Sequence, residues 1–438
     1  MDNVIIGAGL AGLSAAYHLK DDYIIFERED HVGGLCWSVD LDGFVFDKSI
    51  HILYSADAYA TSLIKDVLLK GNFHSQARES FIYLQGVYTE YPFQAHTFGL
   101  PPQVIEECLL GLVKARYENH TGGRPKNFAE WVVATFGEGI AKYFMLPYNR
   151  RQWGIPPELM DYTWIDGRVP TPKVEEVLHG ALFPPKKKFG PNSEFWYPEM
   201  GGIKSLPLGF VPHIKNLHLN TGVVKINTKR NTVTLSNNEE CLYKNVISTL
   251  PLPVVIRLLD EVPGAVQDAA NDLQYNTIHT INLCIDRPAI SDKHWVYFPE
   301  DEFVFHRLSF MMNFSRKNTP VGKSSITVEI SESKHKQINH SALFEDTLRG
   351  LQRIGIIRGK DEVINHCTMS LTPAYVIYDL SHRKNVNLIK EYMESRNIHS
   401  CGRFGDWEYL NMDHAILSGK RVADRISERS PHFSTITP

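Results

Sequence analysis

Residues 4–28 read VIIGAGLAGLSAAYHLKDDYIIFER, and the fold turns on this stretch. Val4, Ile5 and Ile6 form a short apolar run, Gly7, Gly9 and Gly12 follow in the spacing GxGxxG, and Leu10 to Leu19 reads as a helix. A second apolar run, Tyr23 to Phe26, ends at Glu27, which stands 20 residues beyond Gly7. Each part has a task in holding a dinucleotide. Gly7 makes the tight turn, Gly9 lets the backbone approach a pyrophosphate, and Gly12 lets helix and strand pack closely. The helix N-terminus faces the phosphates, and Glu27 accepts from ribose hydroxyls. The glycine spacing alone is weak evidence. With a strand before it, a helix after it and an acid at this distance, it predicts a Rossmann-like dinucleotide-binding unit.

The 438 residues exceed what one hydrophobic core serves, so two or three folding units are expected. Apolar content of 43% and charged content of 22% are ordinary for a globular protein. A formal charge of −4 excludes the strong basic excess of a nucleic-acid binder. Cys36, Cys108, Cys241, Cys284, Cys367 and Cys401 show no C-x-x-C pair. They fit reduced thiols of a cytoplasmic protein better than a disulfide framework or a zinc site, so no metal is expected. The apolar start lacks a basic segment and is threaded with glycines, which argues against a signal peptide. No uninterrupted apolar run reaches the roughly 18 residues of a membrane span.

Further along, Glu27-Arg28 and Gly33-Gly34 give ERxxxxGG. This resembles the second motif of the large group of FAD-binding oxidoreductases that includes amine oxidases and protoporphyrinogen oxidases. Residues 221–240, TGVVKINTKRNTVTLSNNEE, alternate like a hairpin, and NVISTLPL, 245–252, reads as a strand returning to the cofactor unit. FAD is therefore the expected cofactor. Residues 103–180 carry helical periodicity: QVIEECLLGLVKARYE buries one face, and NFAEWVVATFG starts at an N-cap, Asn127, and stops at Gly137. Pro147 is expected to bend or end the next helix. SFIYLQGVYTEYPFQ and HWVYFPEDEFVFHRLSFMMNF alternate as strands do. The fold class is thus α/β, a Rossmann-like FAD-binding domain with an inserted helical bundle and an antiparallel β-sheet domain. The expected division gives residues 1–72, 204–262 and 365–430 to the FAD domain and 99–186 to the helical insertion with a mobile flap. Residues 73–98, 187–203 and 263–364 go to the sheet domain, 431–438 are a frayed tail, and Lys186-Lys187-Lys188 is a solvated loop.

Aromatic and arginine residues recur in turn-flanked positions: YPFQ (91–94), PYNRRQW (147–153), GRV (167–169), GPN (190–192), WVYFPED (295–301) with Arg307, Tyr375, and GRFGDWEYLNMDH (402–414). Arginine forks, phenols and a stacking tryptophan suit a nucleoside diphosphate. In this order the motifs resemble UDP-galactopyranose mutases, the eukaryotic type more than the common bacterial one, over about residues 3 to 426. The resemblance implies that Tyr91, Phe93 and Gln94, with Phe144, Asn149 and Trp153, hold the uridine. Arg168 on a flap and the fixed Arg307 then meet the pyrophosphate, with Tyr297, Tyr375 and Tyr409 donating to it. Asn192 and Asn411 fall near the nucleotide sugar. His51 and Arg403 lie at the flavin, and Arg28, Gly34, Val224 and Asp413 join Gly7, Gly9, Gly12 and Glu27 around the cofactor.

The implied activity interconverts the pyranose and furanose forms of UDP-galactose, or of a close UDP-sugar, without net redox change. Reduced FAD serves as nucleophile through its N5, and Arg168, Arg307 and His51 form the catalytic set. Arg78 and Ser80 fall where eukaryotic-type relatives contact NADPH as reductant, and they fit an ordinary strand surface equally well. The chain departs from its relatives at Ser49-Ile50-His51 and Ala56. Two rival readings share the cofactor unit: an FAD oxidase or desaturase of the amine oxidase type, and a non-catalytic binding protein like the GDP-dissociation inhibitors.

Overall fold

A computed structural model describes residues 1–117, 123–165, 168–184 and 192–429. Gly167, Gly190-Pro191, the Lys186–Lys188 run and the expected tail at 431–438 lie outside the described residues.

The first βαβ unit forms where its sequence places it. Strands Asn3–Ile6 and Tyr23–Phe26 pair in parallel, Asn3 opposite Tyr23 and Ile6 opposite Phe26, and helix Leu10–Leu19 connects them. Every residue of Asn3–Ile6 is buried, as required of a parallel strand covered on both faces. It is the middle strand of five, in the order Ile398–Ser400, Asn245–Ser248, Asn3–Ile6, Tyr23–Phe26 and Leu217–His218. The strand read from NVISTLPL does return to this sheet, in register with Asn3–Ile6. The last strand delivers the chain to helices Gly402–Gly405 and Met412–Arg429, and the latter packs along Leu10–Leu19. The chain's two ends therefore meet over the glycine loop.

A seven-stranded sheet runs Val363–Val376, Tyr275–Ile285, Ser324–Glu332, Arg307–Phe310, Trp295–Tyr297, Ser80–Leu84, Val87–Glu90. It corrects the sequence expectation twice. The sheet is mixed, because Trp295–Tyr297 pairs in parallel with Ser80–Leu84. These segments flank the helical insertion, so no hairpin forces them antiparallel. Residues 365–376 also belong to this sheet, paired along Tyr275–Ile285, and not to the cofactor unit. The hairpin at 80–90 turns through Gln85 and Gly86 at φ 49° and 82°, the turn twist that suits paired strands.

In the insertion, helices Pro102–Tyr117 and Phe128–Ile140 pack closely. Asn127 caps the second, its Oδ1 accepting from the Glu130 amide at 2.9 Å. Gly137, at φ 79°, breaks the helical geometry as expected, but the chain re-enters helix at once. A Cβ there would sit 2.1 Å from the Gly111 carbonyl, so the bare backbone is what lets the two helices touch. Pro147 does not end a helix. It lies in the first turn of Leu146–Trp153, and the wider turn Ala141–Met145 before it, closed by the Leu146 amide donating to the Ala141 carbonyl, carries the helical run past its missing N–H. All six cysteines are free thiols, and no helix among the described residues is long and apolar enough to cross a membrane.

Candidate active site

The glycine loop joins strand Asn3–Ile6 to helix Leu10–Leu19. Gly12 lies so close to the turn that a Cβ would come within 2.0 Å of the Gly7 carbonyl oxygen. The corresponding position at Gly9 has nothing within 4 Å, leaving room for a ligand's phosphates to reach the backbone. No side chain caps the helix, so its first amides are left for an anion. Glu27 is nearly buried and accepts from the Ala8 amide at 2.7 Å and the Glu29 amide at 3.0 Å. Gly33 closes the loop by donating to the Ala8 carbonyl at 2.8 Å, and Gly34 packs beside Gly9. Asp413 stands in the first turn of Met412–Arg429. Against the upward pull of its burial, hydrogen bonds to His414 and Ser55 hold its carboxyl below the usual range.

Next to this loop the helical insertion, the seven-stranded sheet and the C-terminal segment bring their aromatic residues together. Phe93 stacks on Phe144 with centroids 5.2 Å apart, and Phe144 on Tyr148 at 5.1 Å. Tyr297 meets Tyr148 and Tyr91 at 5.0 and 5.2 Å. Trp153 lies edge-on to Tyr375 and Tyr409, which stack on each other at 5.6 Å. Asn149 accepts from the Trp153 indole N–H at 3.1 Å, fixing the ring's direction.

Three guanidiniums border this box. Arg168 donates to the Tyr409 carbonyl and lies 5.0 Å from its ring centre. Arg403 sits 4.8 Å from the Tyr375 ring and 4.6 Å from that of Tyr409. Neither pairs with a carboxylate among the described residues. Arg307, on strand Arg307–Phe310, is ion-paired with the fully buried Glu329. Burial would lift the Glu329 carboxyl, but Arg307 and the donors Ser49 Oγ, at 2.7 Å, and the Ile50 amide hold it below its ordinary 4.5. Burial pushes the Tyr375 hydroxyl up to about 12, so it is a neutral donor, with Arg307 opposing the shift. His51 donates from Nδ1 to the Ser49 carbonyl at 2.8 Å, and burial lowers it to about 4, which presents a neutral Nε2. Three buried polar atoms of the group lack a partner: Gln94 Oε1, Tyr148 Oη and Arg403 Nε. Buried polar atoms are almost always satisfied, so a polar ligand is the natural complement.

The structure thus groups most of the predicted residues. Asn192 is tied in through Arg78, which donates to its Oδ1 and lies 5.0 Å over the Tyr91 ring. Asn411 donates to the Tyr54 hydroxyl at 2.8 Å. Gln94 donates to the Pro170 carbonyl at 2.8 Å, beside the segment carrying Arg168. Two cofactor candidates point elsewhere: the Arg28 side chain is 78% exposed and pairs with Glu29, and Val224 is 50% exposed. Only their stretch of backbone runs by the loop, where the Thr221 amide donates to the Glu27 carbonyl at 2.8 Å. Arg78 and Ser80 are each 1% exposed, so the strand-surface reading of that pair fails. Sequence reasoning missed Tyr54 and Glu329, and quoted Tyr148 within PYNRRQW without giving it a role. Glu329 had a signal, an acid inside the strand pattern SSITVEISE.

The chain belongs to the family of flavin-containing amine oxidoreductases, which it matches over residues 10–427. It is a flavin enzyme, and FAD is the cofactor that the glycine loop, Glu27 and the open face of Gly9 fit. Within this family it is similar to UDP-galactopyranose mutase. The crystal structure of that enzyme in its reduced state superposes with a TM-score of 0.92 at 30% identity, over 98% of this chain and 94% of the other. Coproporphyrinogen III oxidase of Staphylococcus aureus (strain NCTC 8325 / PS 47) is 21% identical over 472 residues, 96% of this chain and 98% of that protein. Protoporphyrinogen oxidase 2, chloroplastic/mitochondrial, of Arabidopsis thaliana is 32% identical over 93 residues, so the match spans 20% of this chain and only 18% of that oxidase.

Proposed function

We propose that this flavin enzyme is a nucleotide-sugar mutase that interconverts UDP-galactopyranose and UDP-galactofuranose, or the ring forms of a close UDP-sugar. The observation that carries the reading is the arginine-bordered phenol box. Arg168 and Arg403 face the Tyr375–Tyr409 pair without carboxylate partners among the described residues, an arrangement that favours an anionic ligand. A cationic amine substrate would gain nothing from it. The mutase likeness at TM-score 0.92 supports the same reading.

When bound and reduced, FAD supplies the nucleophile for the anomeric carbon. The chain's own residues do the rest. Phe93, Phe144 and Trp153, packed together with Tyr148 and Tyr375, build the aromatic wall beside which the uridine lies, with Gln94, Tyr91 and Asn149 next to them. As the glycosidic bond breaks, negative charge grows on the departing diphosphate. Arg307, fixed by Glu329, and the hydroxyls of Tyr297, Tyr375 and Tyr409 are the donors preorganised to meet it. Arg168 closes over the diphosphate and keeps UDP in place while the sugar ring reopens and recloses. Asn192 and Asn411 orient the sugar. His51, its Nδ1 committed to the Ser49 carbonyl, would offer a neutral Nε2 to the ring system of the cofactor. Net redox change is zero, so the reductant, NADPH included, primes the enzyme and is not consumed in each turnover.

The test is to incubate the purified holoprotein with UDP-galactopyranose, once after dithionite reduction and once oxidised, and to separate the products by chromatography. Product formed only by the reduced enzyme supports the reading. Equal turnover with the flavin held oxidised, or peroxide release without a new nucleotide sugar, refutes it.

A further inference from the structure

We propose that His279, Glu332 and His340, none of which belongs to the site described above, bind one divalent transition-metal ion of the zinc class. Three separate segments supply them. His279 lies within strand Tyr275–Ile285, Glu332 ends strand Ser324–Glu332, and His340 precedes helix Leu343–Arg353. No local spacing motif links these positions, which is why the sequence gives no sign of a metal site. Their candidate ligand atoms all lie within 4.8 Å of one another.

Both imidazoles converge through Nε2 on the same carboxylate oxygen, Glu332 Oε2, at 3.0 Å for His279 and 3.2 Å for His340. A tetrahedral ion with bonds of about 2.0 Å sets its ligand atoms roughly 3.3 Å apart; the two nitrogen–carboxylate distances already match this, and the two imidazole nitrogens, within 4.8 Å of each other, draw together on the ion by a turn of the exposed His340. The two rings stand at 83° with centroids 5.1 Å apart, which brings their nitrogens in from different directions. Ser370 Oγ lies 2.8 Å from His279 Nδ1. That is the outer partner that commits the opposite nitrogen to a metal and sets the ring's orientation. Two imidazoles and one carboxylate suit a borderline dication over calcium or magnesium, which take oxygen ligands. The side chains are 7%, 20% and 60% exposed for His279, Glu332 and His340. An ion therefore enters past His340 and keeps its fourth position for water. Bound there, it fastens the 333–342 loop, whose Ser333 donates to the Gly154 carbonyl, to the sheet.

The experiment strips the full-length holoprotein with a chelator, desalts it and titrates it with Zn²⁺ alone by calorimetry. One ion per chain is expected. Binding should weaken at least 100-fold in Glu332→Gln and in His340→Ala. Ser370→Ala, which removes only the outer partner, should weaken it roughly 10-fold or more. X-ray absorption of the zinc-loaded protein should show two imidazole nitrogens at about 2.0 Å. His340 is a surface side chain, so His340→Ala folds, and equal melting of that variant and wild type in chelator checks this. Absence of saturable binding in wild type, or zinc affinity unchanged in His340→Ala, overturns the proposal, because the trio is then only a pair of imidazole–carboxylate hydrogen bonds.

Discussion

Replacing Glu329 by glutamine tests how the sheet holds the active-site arginine. The substitution keeps shape and removes one charge. Glu329 Oε1 receives Ser49 Oγ and the Ile50 amide, and a glutamine oxygen at that place can accept both. Oε2 receives Arg307 Nε. There the glutamine NH₂ sets donor against donor and leaves a guanidinium with a side chain 12% exposed beside a fully buried neutral group. Breaking a buried ion pair at one partner costs about 3–5 kcal/mol. Spread over the unfolding entropy of 438 residues, about 2.1 cal/mol/K each, that is a fall in melting temperature of roughly 3–5 °C.

Two further readouts isolate the cause. Glu329 is held below its ordinary 4.5 in the folded state. Its contribution is therefore fully present above that value and is lost as pH falls through the lowered one. Glu329→Gln should remove this limb of acid destabilisation, narrowing the gap between variant and wild type at low pH. Arg307→Met combined with Glu329→Gln removes the stranded charge and should recover most of the lost stability. The assay is thermal unfolding of the flavin-loaded proteins, followed by flavin fluorescence and circular dichroism from pH 3 to 8. A single variant melting within about 1 °C of wild type at pH 7 would refute the argument, since Arg307 would then be neutralised by something other than Glu329.

Gly12→Ala should give a colourless or insoluble protein, because its methyl group would meet the Gly7 backbone carbonyl oxygen at 2.0 Å, with the Thr249 side chain at 3.4 Å; a yellow variant with normal FAD content shows the loop to be looser than this. Trp153→Ala should weaken UDP binding by about 1–3 kcal/mol and, since the ring is 2% exposed, also cost about 3–5 kcal/mol of stability. Titration beside melting separates the two, and lower melting with unchanged UDP affinity would leave Trp153 as a core residue alone. Burial raises the Asp47 carboxyl to about 6 despite donors from Ile203, Ser38 and Tyr197, so its contribution is full below the ordinary 3.8 and declines as pH rises through 6, by roughly 3 kcal/mol. Asp47→Asn should flatten that decline, and denaturant unfolding across pH 4–7 with an unchanged slope would contradict it.

What could be read from the sequence follows contact distance along the chain. The glycine loop, its helix and Glu27 interact within 25 residues, so local spacing carries nearly all of their geometry. The N-cap at Asn127 and the break at Gly137 are likewise local. Pro147 does not end its helix, one of the two outcomes expected of it, because the wider turn before it, which no residue in PYNRRQW announces, takes up the disturbance. The parallel pairing of Trp295 with Ser80 joins strands whose separation no turn signal spans. The site residues were legible only as scattered motifs whose order resembles one family. Their connections were not: Arg78 to Asn192 and Tyr54 to Asn411 join loops far apart in the chain, and Glu329 to Arg307 joins facing residues of neighbouring strands. At Arg28 and Val224 a motif position runs by the cofactor loop through its backbone while its side chain turns to solvent.

Strand Ser324–Glu332 explains why so much of the site escaped a reading by pattern. Ile326, Val328 and Ile330 alternate with Thr327, Glu329 and Ser331, which by period suggests one face in the core and one in water. Both faces are buried. The polar one is fully satisfied inside the protein: Thr327 donates to Asn282 at 2.7 Å, Glu329 holds Arg307 and the Ser49–Ile50 turn, and Ser331 donates to the Arg151 carbonyl. A buried polar face is costly unless every group is paired, and apolar residues would stabilise the sheet at least as well. What the polar face adds is position. Hydrophobic contact tolerates sliding, whereas a carboxylate with three directed donors fixes the angle of each one. Through Glu329 the sheet sets both Arg307 and the turn carrying His51, so two of the three catalytic candidates are registered to one another by a single carboxylate that lies outside the quoted motifs.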